Sequence, residues 1–256
     1  MDNVTVVTGI WDIKRDELSS GWSRKFDHYL NHLSKLMKID ENMIIFIEEK
    51  YRDFVEEHRS SDNTLIIVRE LEWFKSNTDV FNKIQDIRNK PEWFNQAPWL
   101  SESTQAKLEM YNPIVMSKMF LLNDASILDP FHSTHLIWVD AGGIREDMDY
   151  PSTWPNPAKL SSNKIMHFSH NIPFTVDDPE WHTLSQVRNI QGGAFVCPSH
   201  MIDWYMNEIN KTIEFCLNNK FIGSDEKIFD LTYLKDPSKF TLVKQGWREY
   251  YDWLAI

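Results

Sequence analysis

Apolar positions along this chain keep two rhythms, one of period two and one near 3.6. Residues 4–8 form a short β-branched run, and after a polar loop Phe26, Tyr29, Leu30, Leu33, Leu36 and Met37 recur at helical spacing. Residues 43–47 read as a second strand, 49–59 as a charged helix with Phe54 and Val55 turned inward, and 64–68 as a third strand. Nearly all-apolar strands alternating with helices predict a parallel sheet covered on both faces, with ligands at the carboxyl ends of its strands. Residues 70–104 are polar and tryptophan-rich with weak periodicity, and 145–183 hold Pro151, Pro155, Pro157, Pro173 and Pro179. Both read as excursions of loops and short helices over the surface. A small strand is expected at 193–197, a long helix capped by Ser199 and reaching about Lys220, another capped by Ser224, an edge strand at 240–243 and a closing amphipathic segment.

The stretch 111–143 carries the densest chemistry. Asn112 is placed to cap a helix with Pro113 at its first position, and Lys118 then falls on one face with Ile114, Leu121 and Ala125. A buried ammonium must snorkel, pair with a carboxylate or face an anionic ligand. The apolar run 135–139 then delivers Asp140, followed by Ala141-Gly142-Gly143. An acid at a strand end holds a metal or a ligand, or simply caps a turn.

Composition narrows the classes. At 256 residues and 42% hydrophobic content the chain suits one large domain, and a net charge of -11 with no basic run disfavours a nucleic-acid partner while allowing a single diphosphate. Two cysteines, Cys197 and Cys216, give neither a disulfide framework nor a thiolate metal site. No signal-peptide pattern or membrane-length apolar run is present, so a soluble, cytoplasmic protein is expected. Eleven tryptophans are many, and those outside apolar runs are expected to pack half-buried or to stack on a sugar or base.

Other constellations are ambiguous on their own. The loop TGIWDIKR from Thr8 to Arg15 has too few glycines for a dinucleotide fingerprint, yet Asp12 suits a ribose or base edge and Arg15 a phosphate. A salt bridge would explain the same residues. Asp225 and Glu226 open a helix, where carboxylates favour the dipole, and in a cleft they would serve as base or nucleophile. Arg188 and the pair Gly192-Gly193 precede a strand, where glycines admit a ligand or merely make a turn. His167 and His170, three apart, read as solvated loop histidines rather than metal ligands.

Three blocks, TGIWDIKR, YNPIVMSKMFLLNDA…WVDAGGIR and VRNIQGGAFV…GSDEKIF, together resemble the HtrL/YibB (WlaTC-like) family, and more distantly the GT-A glycosyltransferases. The resemblance implies a single GT-A-like α/β domain, a Rossmann-type mixed sheet with helices on both faces. A nucleotide-binding half over about 1–143 would join an acceptor-binding half over about 144–256. It implies a hexosyltransferase moving sugar from a nucleotide-sugar donor, UDP-linked, to a glycan or lipid-linked acceptor, assisted by Mn2+ or Mg2+. The nucleotide-sugar site would comprise Thr8, Asp12, Arg15, Lys118, Asp140 and Arg145, with Asp140 also the metal ligand. Asp225 and Glu226 would be catalytic, and Arg188, Gly192 and Gly193 would meet the acceptor. The expected Asp-X-Asp reads Asp140-Ala141-Gly142, so Asp147 or Asp149 would have to replace the second acid, and no late histidine follows Phe240. A non-catalytic glycan- or nucleotide-sugar-binding protein on the same fold is the rival expectation.

Overall fold

The computed structural model describes residues 3–19, 21–76, 78–95, 99–143, 154–170, 190–245 and 249–255. The chain runs β1 (Val4–Ile10), α1 (Phe26–Leu36), β2 (Asn42–Ile47), α2 (Arg52–Glu56), β3 (Thr64–Val68), α3 (Leu71–Lys75), α4 (Thr78–Arg88), α5 (Pro91–Phe94), α6 (Thr104–Lys107), α7 (Tyr111–Met116) and α8 (Lys118–Leu128). It continues through β4 (His135–Val139), β5 (Ile165–Ser169), β6 (Ile190–Pro198), α9 (Ile202–Asn218), α10 (Asp225–Lys235), β7 (Phe240–Lys244) and α11 (Tyr250–Ala255).

All seven strands join one mixed sheet in the order β3-β2-β1-β4-β6-β5-β7. The members β3, β2, β1 and β4 are mutually parallel, β6 is antiparallel to both β4 and β5, and β7 runs parallel to β5 at the edge. The period-two rhythm sorts side chains to the two faces. Val7, Ile44, Phe46, Leu136 and Trp138 pack under α3, α4, α8, α9 and α10, whereas Val6, Ile45, Ile137 and Val139 pack under α1, α2 and α11. The result is a single α/β domain with helices on both faces. Among the described residues no helix is long and apolar enough to cross a membrane.

Several local expectations are corrected. Asn112 does not cap a helix: it lies inside α7, fully buried, and its amide donates to the Gly223 carbonyl at 2.9 Å. The helix also breaks after Met116, where the Ser117 hydroxyl bonds the Pro113 carbonyl at 2.5 Å, and Lys118 opens α8. Ser199 bonds the Ser133 carbonyl instead of capping α9. Ser224 does occupy the N-cap position of α10, though its side chain makes no cap bond. The segment 165–169, read as loop, is an all-buried strand. His167 is 0% exposed there, bonded to the Tyr205 hydroxyl at 2.6 Å and ringed by Phe195, Phe229 and Phe240, so it is a core residue and not a solvated one.

Candidate functional site

The chain leaves β1, goes outward through β2 and β3, and returns to place β4 on the other side of β1. At such a reversal the connections diverge above the strand ends and leave a crevice. Here the crevice is a cleft of about 880 Å³. Asp12 and Arg15 enter it from the loop after β1, Lys118 from α8, Asp140 from the end of β4, Gly192 and Gly193 from β6, and Asp225 and Glu226 from the first turn of α10. Eight of the expected residues thus meet across long stretches of sequence. Thr8 does not: its side chain is 0% exposed within the sheet. Arg145 and Arg188, together with Asp147 and Asp149, lie outside the described residues.

The parity of β4 explains the centre. Leu136, Trp138 and Asp140 alternate to the face covered by α8, so Asp140 is aimed at Lys118. The Lys118 ammonium donates to Asp140 Oδ2 at 2.9 Å, to the Gly192 carbonyl at 2.8 Å and to Asp225 Oδ2 at 2.5 Å, and it lies 2.8 Å from Asp140 Oδ1. Trp138 Nε1 adds a bond to Asp140 Oδ1 at 2.8 Å. Lys118 is 5% exposed. Burial alone would favour loss of its proton, but the charges of Asp140 and Asp225 and its bonds to both hold its pKa above the ordinary lysine value. The awkward lysine of the apolar helix is therefore satisfied by two carboxylates and one carbonyl, which use all three of its donors. Of the two acids, Asp140 is the more open, with 37% of its side chain exposed against 8% for Asp225.

Gly192 and Gly193 serve the protein's own side chains. The register between β5 and β6 slips here, His167 facing Phe195 while Ser169 faces Ile190, so β6 bulges. The bulge turns Gly192 toward α10 and Gly193 toward α11: a Cβ on Gly192 would sit 2.3 Å from Asp225 Oδ2, and one on Gly193 2.6 Å from the Tyr250 hydroxyl. The Gly192 N–H donates to Glu226 Oε1 at 3.4 Å, and the Ile190 N–H to Asp230 Oδ1 at 3.0 Å, which ties β6 to α10.

The loop after β1 is shaped by Gly9, above which the Trp11 ring folds back, its indole N–H bonded to the Arg69 carbonyl at 2.7 Å. Asp12 pairs with Lys14 at 2.6 Å rather than with Arg15. Arg15 instead donates to the Trp22 carbonyl at 2.9 Å and the Tyr29 hydroxyl at 2.6 Å, and Arg24 to the Ser23 carbonyl at 2.6 Å. Among the described residues neither guanidinium group is engaged in an ion pair, so both remain available to an anionic ligand in the cleft.

Arg24, Tyr111, Trp138 and Tyr250 line the cleft as well, outside the set expected from the sequence. A signal existed for Trp138, two positions before Asp140 in a strand and hence on the same face. Tyr250 had none, because it reaches the cleft from α11 at the far end of the chain. Among the described residues no group of three or more His, Cys, Asp or Glu side chains is arranged to hold a metal ion.

Among known proteins, the chain is similar to Protein HtrL of Escherichia coli (strain K12), 22% identical over 98% of this chain and 90% of that one. Its fold is similar to mouse xyloside xylosyltransferase 1 in its apo form, at 10% identity and a TM-score of 0.43 over 94% of this chain and 84% of that one. It is likewise similar to 4-diphosphocytidyl-2C-methyl-D-erythritol synthase from Anaerococcus prevotii DSM 20548, at 13% identity and a TM-score of 0.43 over 96% and 88%. Residues 2–255 match the family described as "Bacterial protein of unknown function (HtrL_YibB)", and the chain belongs to that family.

Proposed function

We propose that this protein is a glycosyltransferase of GT-A-like architecture that moves a hexosyl group from a nucleotide sugar, a uridine-diphosphate sugar in the first instance, to a glycan or lipid-linked acceptor. The observation that carries the reading is the meeting of Arg15 and Arg24, neither engaged in an ion pair among the described residues, with the Lys118-bridged acids Asp140 and Asp225 in one cleft at the β1/β4 reversal. A cleft of about 880 Å³ has room for a nucleotide sugar and part of an acceptor. The two guanidinium groups suit the diphosphate, whose negative charge grows as the glycosidic bond breaks, and stabilising that charge is the main catalytic contribution of such a site. Asp140, the more open acid, accepts hydroxyls of the donor sugar. Glu226 and Asp225 form the wall beside Gly192, where the acceptor enters.

Lys118 acts through its charge, since its donors are already committed inside the protein. The commitment of Asp225 to the same ammonium also favours a second reading, a nucleotide-sugar-binding protein without turnover. A panel of nucleotide sugars assayed by thermal melting and by product release separates the two. Protection with slow hydrolysis or transfer supports the enzyme, protection without turnover supports the binder, and no protection by any nucleotide sugar ends both.

A further inference from the structure

The resemblance implies a divalent cation linking Asp140 to the donor diphosphate, and among the described residues the donor set around Asp140 does not fit one. A hard cation needs several oxygen ligands with open lone pairs. Asp140 Oδ2 already accepts from Lys118, Oδ1 accepts from Trp138 and lies 2.8 Å from the same ammonium, and Asp225 Oδ2 is held on that ammonium at 2.5 Å. An ion bound to Asp140 would also lie against a fixed positive charge. That ammonium cannot swing aside cheaply, because β4, β6 and α10 each hold it through one acceptor: Asp140, the Gly192 carbonyl and Asp225.

We infer that Lys118 occupies the cation's place as a built-in counter-charge, so that the cleft binds its nucleoside-diphosphate donor without a divalent metal. The inference rests on the proposed function. In this arrangement Lys118 is a positioning residue: it offsets one of the two negative charges of Asp140 and Asp225 that would repel the diphosphate, and leaves direct phosphate contact to Arg15 and Arg24. A merely structural lysine would stabilise the fold without affecting metal response, and the test reads that difference.

Mn2+ alone, titrated calorimetrically into the wild-type protein, should give no saturable uptake below the millimolar range. Lys118→Met, which leaves Asp140 and Asp225 facing each other, should gain a Mn2+ site and a Mn2+-dependent rise in Tm. Uridine diphosphate should bind the wild type with the same affinity in EDTA and in Mn2+, to within about twofold. Sub-millimolar Mn2+ uptake by the wild type that Asp140→Asn removes would overturn the inference, as would a tenfold or greater gain in uridine-diphosphate affinity on adding Mn2+. Should Lys118→Met fail to fold, both wild-type measurements still decide. The Mn2+ titration needs no nucleotide, so its failure is separable from failure to bind nucleotide sugars, which would overturn the proposed function.

Discussion

Lys118 shows how far a single residue can be read from sequence. Its place on an apolar helix face required a partner, and that much followed from the cost of burying an unpaired charge. The partners themselves, 22 and 107 residues away, are supplied by β4 and α10, and no local pattern encodes which acids those elements bring. Removing one member of a buried ion cluster leaves uncompensated charge, so Lys118→Met should lower stability by about 3–5 kcal/mol in urea denaturation. A loss below about 1 kcal/mol would show that the cluster is solvated. Gly192 was legible as a glycine at a strand start but not for its reason, since the atom that excludes a Cβ is the Asp225 carboxylate. Gly192→Ala should therefore cost about 1–3 kcal/mol through overpacking. Gly21→Ala, with nothing within 4 Å of the new carbon, should stay within about 0.5 kcal/mol in the same denaturation experiment.

Elements with an unbroken apolar rhythm were legible: β1 to β4, α1 and α9 stand where the pattern put them, apart from their ends. The hidden element was β5, because its Ile-Met-His-Phe-Ser sequence carries polar residues that the fold satisfies internally, His167 against Tyr205. The β6 bulge was equally invisible, since a register slip is a property of two strands rather than one. Burying His167 has a consequence for acid stability. Burial depresses its pKa to about 3, so the folded protein refuses a proton that the unfolded chain takes up near pH 6.5. Its contribution is constant above that value and falls as pH drops from about 6.5 toward 3, by up to about 1.4 kcal/mol per unit. Urea denaturation between neutral and mildly acidic pH should show this slope in the wild type and a shallower one in His167→Gln. Equal slopes would show that His167 does not carry it.

At the scale of the whole molecule, the sheet order places a crevice between β1 and β4, and the residues that reach it come from the first loop, the middle helix, the antiparallel strand and α10. The alternation of strands and helices made an α/β sheet legible, and with it the expectation that chemistry would gather at strand ends. The antiparallel insertion of β6 between β4 and β5 was not legible, because strand order depends on pairings that lie far apart in sequence. The central claim is that this crevice is a nucleotide-sugar site centred on Asp140. It is tested most directly by calorimetric titration of wild-type protein and Asp140→Ala with a panel of nucleotide sugars, circular dichroism confirming that both are folded. The wild type should bind at least one nucleotide sugar saturably, and the variant should lose that binding by tenfold or more in affinity. Binding that survives unchanged in a folded Asp140→Ala protein, or no binding by the wild type at all, would contradict it.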